Sequence, residues 1–299
     1  MRRTILALTA LATSISPTAA EEMVVLEPGS KWNVDFDRDK CRLVRFFGSE
    51  TGRNVLILEQ YFPGEYFSMI AAGPAFAKIE TPKAGNTVQF LPDGPPNVAE
   101  PLIGPLEGYG RSLYFIAIRL AGEDKTKAKE SKEPKPPVTL DQALGAQVRF
   151  IDIADTDEQV RFNTGPLDRP IKVMNDCLFD LIGSWGLDPE QERAATRRPR
   201  FQNEQAVLGK LFSSLPMDRL GDNGIEALRI RLITDAKGGV ESCKLIENSD
   251  AKLEARTCKG LARTRVEPAL DAAGQPMRSY LPITVYVGPV MTNVRSISL

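Results

Sequence analysis

The chain contains no histidine. That removes the commonest general base and the commonest metal ligand, and with them any catalytic triad built on imidazole. It also lacks a charge excess, because 38 Lys and Arg stand against 39 Asp and Glu for a formal charge of −1. Such a balance gives no field for a nucleic-acid backbone or an anionic lipid surface, so neither partner is expected. Cysteine is scarce, four in 299 residues, and no two have the C-x-x-C spacing of a redox motif or a zinc ribbon. Beyond the first 20 positions no apolar stretch approaches membrane-spanning length. What is present is ordinary globular composition, 42% hydrophobic and 26% charged, in a chain long enough for two domains.

The N-terminus has the layout of an export signal. Arg2 and Arg3 precede an apolar run from Ile5 to Leu11, and Thr18-Ala19-Ala20 supplies small residues ahead of Glu21-Glu22. Cleavage is expected after Ala20, leaving a soluble mature protein. The competing reading is an uncleaved anchor. It has only about 17 residues, interrupted by Ser14, Ser16 and Pro17, against the roughly 20 that a spanning helix needs. Exported proteins pair their cysteines, and four cysteines allow three connectivities. Spacing and context favour Cys243–Cys258 within one strand–helix unit, which leaves Cys41–Cys177.

The fold class expected is α+β. Residues 21–186 read as a mostly-β N-terminal domain, with strand-like runs such as "CRLVRFFG", "RNVLILEQYF", "EYFSMIAAG" and "LYFIAIRL" between turn clusters. Within it, Glu123 to Pro137 is too rich in Lys, Glu and Pro to bury a core and is expected to be a mobile surface loop. The domain closes on an amphipathic helix. Leu167, Ile171, Met174, Leu178, Leu181, Ile182 and Trp185 recur at three- and four-residue spacing, and Cys177 lies beside that face, in reach of a strand carrying Cys41. Residues 187–202 are polar, include "RRPR", and read as a solvated linker. Residues 203–299 read as a small domain. It opens with a helix in "EQAVLGKLF". The strand Leu228–Thr234 then carries Leu228, Ile230 and Leu232 on one face and Arg229 and Arg231 on the other. A turn at Asp235–Gly239 leads to a return strand with Cys243 and Leu245 opposite Val240 and Ser242. A helix through Leu253, Thr257 and Leu261 and a last strand follow.

This last unit resembles the C-terminal domain of TonB-type energy transducers. The resemblance covers roughly Leu215 to Val287 and rests on ordered matches. Leu215-Pro216 stands where the family has Tyr-Pro, and Gly224 precedes the first strand. Asp235 to Val240 fits the hairpin pattern, and Leu253-Glu254-Ala255 opens the helix. Pro268-Ala269 and Gly274-Gln275-Pro276 precede the final strand. The departures are Thr264 where the family has tryptophan, and the missing histidine-bearing membrane helix and long proline-rich spacer. In the family pattern positions 243 and 258 are apolar neighbours at the strand–helix contact, close enough for a disulfide. The resemblance implies a module that meets envelope partners, such as an outer-membrane receptor or transport component, by pairing strand edges. The residues to do so are Tyr280, Leu281, Ile283, Thr284, Val285, Tyr286 and Val287, and proline at Val285 is expected to interrupt that edge. The alternatives are that this strand is only a core element or that a homodimer covers its edge.

No catalytic, cofactor or metal residues are expected. Asp35, Asp37 and Asp39 open like a calcium loop, but Lys40 and Phe46 occupy its glycine and glutamate positions. Asp152, Asp155, Asp157 and Glu158 share one short loop, where neighbouring acids are solvated. "FGSETG" around Ser49 is not a nucleophile elbow, and "GDNG" at Gly221–Gly224 is a turn. The function expected is a non-catalytic periplasmic binding protein. The alternatives are an energy transducer anchored by its uncleaved N-terminus and, remotely, an exported hydrolase using acidic residues.

Overall fold

The computed structural model describes residues 23–79, 85–123, 138–155, 158–214, 226–247 and 250–287. Residues 1–20, read above as an export signal, positions 124–137 of the charged loop, Asp157, Leu215-Pro216 and Gly221–Gly224 lie outside the described residues. The fold is mixed α+β, with several sheets and few helices.

The first part of the chain forms β1 (Val24–Leu26), β2 (Asn33–Phe36), β3 (Cys41–Phe47), β4 (Asn54–Gln60), β5 (Tyr66–Ala72), β6 (Thr87–Gln89), β7 (Asn97–Val98), β8 (Leu102–Leu106), β9 (Gly110–Arg119), β10 (Ile151–Ala154) and β11 (Gln159–Phe162). They build a six-stranded sheet in the order β2-β3-β4-β5-β9-β8 and a five-stranded one in the order β1-β11-β10-β6-β7. Side chains alternate faces along a strand, so residues paired across strands form rows. Leu43, Leu58, Met69 and Phe115 are one such row, all at most 2% exposed, and they face the second sheet. There Phe162 of β11 meets Phe47 of β3 edge to face, ring centroids 4.8 Å apart. The adjacent row, Arg42, Glu59 and Ser68, faces the opposite way. Of the helices α1 (Gln142–Gly145) and α2 (Asp168–Ser184), α2 is the amphipathic one expected. It buries Ile171, Met174 and Leu178 in this core, and Cys177 is bonded to Cys41.

The remainder comprises α3 (Pro189–Ala194), β12 (Arg200–Phe201), α4 (Glu204–Ser214), β13 (Glu226–Thr234), β14 (Val240–Ile246), α5 (Ala251–Leu261), β15 (Val266–Glu267), β16 (Ala269–Leu270), β17 (Pro276–Met277) and β18 (Ser279–Val287). A second core joins Leu228, Ile230 and Leu232 of β13 and Leu281, Ile283 and Val285 of β18 to Val207, Leu211 and Leu261 of the helices. Asp250 caps α5, accepting from the N–H groups of Lys252 and Leu253 at 2.8 and 3.1 Å. Cys243 of β14 is bonded to Cys258 of α5, the pair that spacing favoured, and Cys41–Cys177 is the pair that was left. One expectation is corrected. Val240 packs against the same core as Cys243, because the register shifts between Ile233 and Thr234. Ser242 pairs with Ile233 and Val240 with Thr234, so Glu241 is an extra, bulged residue that flips the alternation.

The β13–β14 turn is set by Gly238, at φ +77°. A β-carbon there would lie 2.0 Å from the carbonyl oxygen of Val266. Gly238→Ala therefore combines left-handed strain with a backbone clash. It is expected to cost roughly 2 kcal/mol or more, read as a lower urea midpoint at unchanged slope.

Residues 187–202 are not a tether in solvent. Pro189 starts α3 behind an Asp188 cap, and the guanidiniums of "RRPR" find acceptors across the fold. Arg197 donates to the Pro268 carbonyl at 2.7 Å and Arg200 to Glu267 at 2.7 Å. Arg198 donates to the Tyr280 hydroxyl at 2.5 Å and the Pro63 carbonyl at 3.1 Å. Composition alone misses this, because main-chain carbonyls that satisfy arginine leave no mark in the sequence. Among the described residues no helix is long and apolar enough to cross a membrane.

Candidate functional site

β13 lies between β14 and β18, so the strand expected to meet partners is outermost in its sheet. Its outward main-chain groups follow from register, since in an antiparallel ladder a residue sends its N–H and C=O to the same side. The Leu245 N–H donates to the Glu254 carboxylate of α5 at 3.2 Å, so Leu245 faces away from β13. Its neighbour Lys244 then faces Arg231, whose main chain is spent on β14. Arg231 is also opposite Pro282 of β18, and Pro282 accordingly points outward, as a residue without an N–H must. By alternation Tyr280, Thr284 and Tyr286 also face outward, while Leu281, Ile283 and Val285 bond β13. Proline at Val285 would thus break the inner ladder. The edge donors belong to Tyr280, Thr284 and Tyr286.

The side chains of this strand are committed elsewhere. Leu281, Ile283 and Val285 lie in the second core. Tyr280 packs edge to face on Trp185 at 5.3 Å and stacks on Phe62 at 6.2 Å, and burial raises its hydroxyl to about 12. Thr284 lines a cavity of about 40 Å³ with Gln60, Ser68 and Arg229, room for about one water. Ser279 to Val285 are all buried. The main chain of Tyr286 and Val287 pairs with Ala227 and Glu226.

The charged face of β13 meets the outward row of the six-stranded sheet. Arg229, 8% exposed, donates to the Tyr114 hydroxyl at 2.9 Å, and its guanidinium stands 4.0 Å over the Tyr61 ring. Glu59, 3% exposed, receives Lys40 at 3.1 Å. Lys40 also reaches Glu247, just beyond β14, at 2.5 Å. The Tyr61 hydroxyl stands 2.5 Å from Glu247 and 3.1 Å from Glu59, and its single proton serves one of them. Two cations and two carboxylates therefore balance in the seam. Desolvation opposes the charge of Lys40, but Glu59 and Glu247 outweigh it and raise its pKa. Burial pushes the Tyr61 hydroxyl far up, so it stays protonated. Around this network Tyr61, Phe62, Phe179, Ile182, Leu187, Ile233, Ile246 and Tyr280 form a third apolar cluster.

The other residues weighed from sequence stay apart. Asp35 and Asp37 pair with Arg42, and Asp39 with Arg38, in the β2–β3 hairpin. Asp152 pairs with Arg161 at 2.7 Å, Asp155 accepts from the Glu158 N–H, and Glu158 faces Lys78. Among the described residues no three or more His, Cys, Asp or Glu side chains are grouped to hold a metal ion. Sequence reasoning missed Arg229 and Glu192. Arginine alternating with leucine and isoleucine marks a polar face without saying what it meets, and a glutamate in a segment read as a solvated linker is expected to be exposed. Comparison of the chain with known protein families, with curated proteins and with solved structures finds no match.

Proposed function

We propose that the protein is an exported, non-catalytic binding protein of the periplasm. Its C-terminal unit, of TonB C-terminal type, engages envelope partners such as an outer-membrane receptor or transport component through the main chain of β18. Its layout is a signal peptide over 1–20, a mostly-β domain over 21–186, a connecting segment over 187–202 and the TonB-like domain over 203–299. The observation that carries the reading is that β18 ends its sheet with outward groups at Tyr280, Pro282, Thr284 and Tyr286. An extended peptide pairs with such an edge through backbone hydrogen bonds. The order hairpin, α5, β18 agrees with the resemblance, and two disulfides suit an oxidising compartment. Because Ser279 to Val285 are buried, pairing along the whole strand requires its outer side to be bared.

Tyr286→Pro removes an outward donor and spares the ladder to β13. The folded variant is expected to lose at least tenfold in recovery of envelope proteins captured by the wild type from solubilised membranes. Undiminished recovery by a folded Tyr286→Pro protein would exclude this edge as the binding surface.

A further inference from the structure

Glu192, where α3 meets the start of β18, is a buried carboxyl with one oxygen unsatisfied. It projects from α3 to the first residue of β18 and is 3% exposed. One carboxyl oxygen, Oε2, accepts from the Ser279 hydroxyl at 2.9 Å, and the other, Oε1, is buried with no hydrogen-bond partner. Cations stand nearby but are committed elsewhere. Arg198 is spent on the Tyr280 hydroxyl and the Pro63 carbonyl. Arg278 is spent on Glu241 at 2.6 Å and on the Gly186 carbonyl at 2.7 Å. On its own helix Arg193 is paired with Glu190 at 3.6 Å, and the capping Asp188 disfavours ionisation further. From β18 it is faced by the buried Tyr280. α2 meets α3 with Phe179, under Arg193, and with Gly183, against Pro189, and neither carries charge. Beyond α3, Ala195 packs on Ala269 and Met277, again without charge.

We propose that Glu192 is a proton-operated latch. Protonated, it holds α3 against the start of β18 through Ser279. On losing its proton it becomes a buried anion with Ser279 on one oxygen and no donor for the other, and α3 separates from the strand. The physical reason is that a neutral carboxyl tolerates one unsatisfied oxygen, whereas an unpaired carboxylate in a desolvated site does not. Desolvation raises its pKa from 4.5 to about 7, which puts the change near neutrality. The sign follows. The closed form binds the proton more tightly than the open one, so closure is favoured near pH 4.5, weakens as pH rises, and is fully weakened above about 7. Since α3 and Arg198 both press on the beginning of β18, opening the latch would bare that end of the strand. That use rests on the strand-edge reading, but the latch itself does not.

Hydrogen exchange on the intact, oxidised protein tests it. The amides of Glu190, Gln191 and Glu192 all donate to Asp188 and report whether α3 is formed, and the Thr196 N–H, which donates to the Leu270 carbonyl at 2.9 Å, reports whether the segment stays docked. After correction for intrinsic exchange, their opening constant is expected to rise by about two orders of magnitude between pH 5 and pH 8. Glu192→Gln, neutral at every pH, is expected to give a flat profile. No histidine is present to mimic the effect in that range. A flat wild-type profile, or a pH-dependent one retained in Glu192→Gln, would overturn the latch. Neither result bears on partner capture, which Tyr286→Pro tests separately.

Discussion

Replacing Cys41 and Cys177 together by alanine is expected to lower the unfolding free energy by about 5 kcal/mol on the chain-entropy model. The two residues are 136 apart in sequence, so their bond closes a loop containing most of the first core. Both are almost completely buried, at 1% and 2% exposure, and they tie the start of β3 to the middle of α2. The matching change at Cys243 and Cys258 opens a separation of only 15 residues, for which the same model gives about 3 kcal/mol. Urea unfolding of the oxidised wild type and the two double variants measures the difference. The loss from the first bridge should exceed that from the second. The reverse order would mean that native packing around the sulfurs outweighs loop closure. A 5 kcal/mol loss approaches the whole stability of many domains, so the Cys41/Cys177 variant should sit near its folding threshold at 37 °C.

The disulfides were legible because the even count of cysteines called for pairing, a spacing put Cys243 on a strand and Cys258 on the facing helix, and Cys41 and Cys177 were then left to each other. α2 was legible for a related reason. Its apolar residues recur at helical period, and one face has to be buried whatever covers it. The alternation of β13 was legible, but what its polar face meets was not. Leu228, Ile230 and Leu232 enter the second core as a strand pattern demands, but Arg229 and Arg231 face protein on the other side. A period-two pattern distinguishes faces and cannot say whether the polar one meets water or a complementary charge. The same blindness hid the anchoring of 187–202. β18 was half legible: the strand itself is plain in the sequence, while its place at the sheet edge and the direction of each N–H follow from pairing and register, at which only Pro282 hinted. Glu192 left no trace at all, because its burial depends on α3 folding back onto β18.

Arg229→Ala is expected to cost about 3–4 kcal/mol and to loosen one part of the chain from the other. The guanidinium is the point at which β13 grips the six-stranded sheet, through Tyr114 at 2.9 Å, Ser68 at 3.4 Å and the face of Tyr61. Its removal leaves Glu59 and Glu247 sharing Lys40 alone, so a buried seam that was neutral acquires one uncompensated negative charge. Arg229→Lys restores the charge but not the planar group that spans a hydroxyl and a ring, and should recover only part of the loss. Glu59→Gln in the Arg229→Ala background removes the surplus charge directly. It should return more stability than Glu59→Gln returns to the wild type, where the same change breaks a satisfied pair. Neither core contains Arg229, so the damage is confined to the seam. Calorimetry of Arg229→Ala should therefore show two separated transitions where the wild type shows one. A single transition at an unshifted temperature would mean that the third cluster, around Phe62, Trp185 and Tyr280, holds the two cores together without help from the charges.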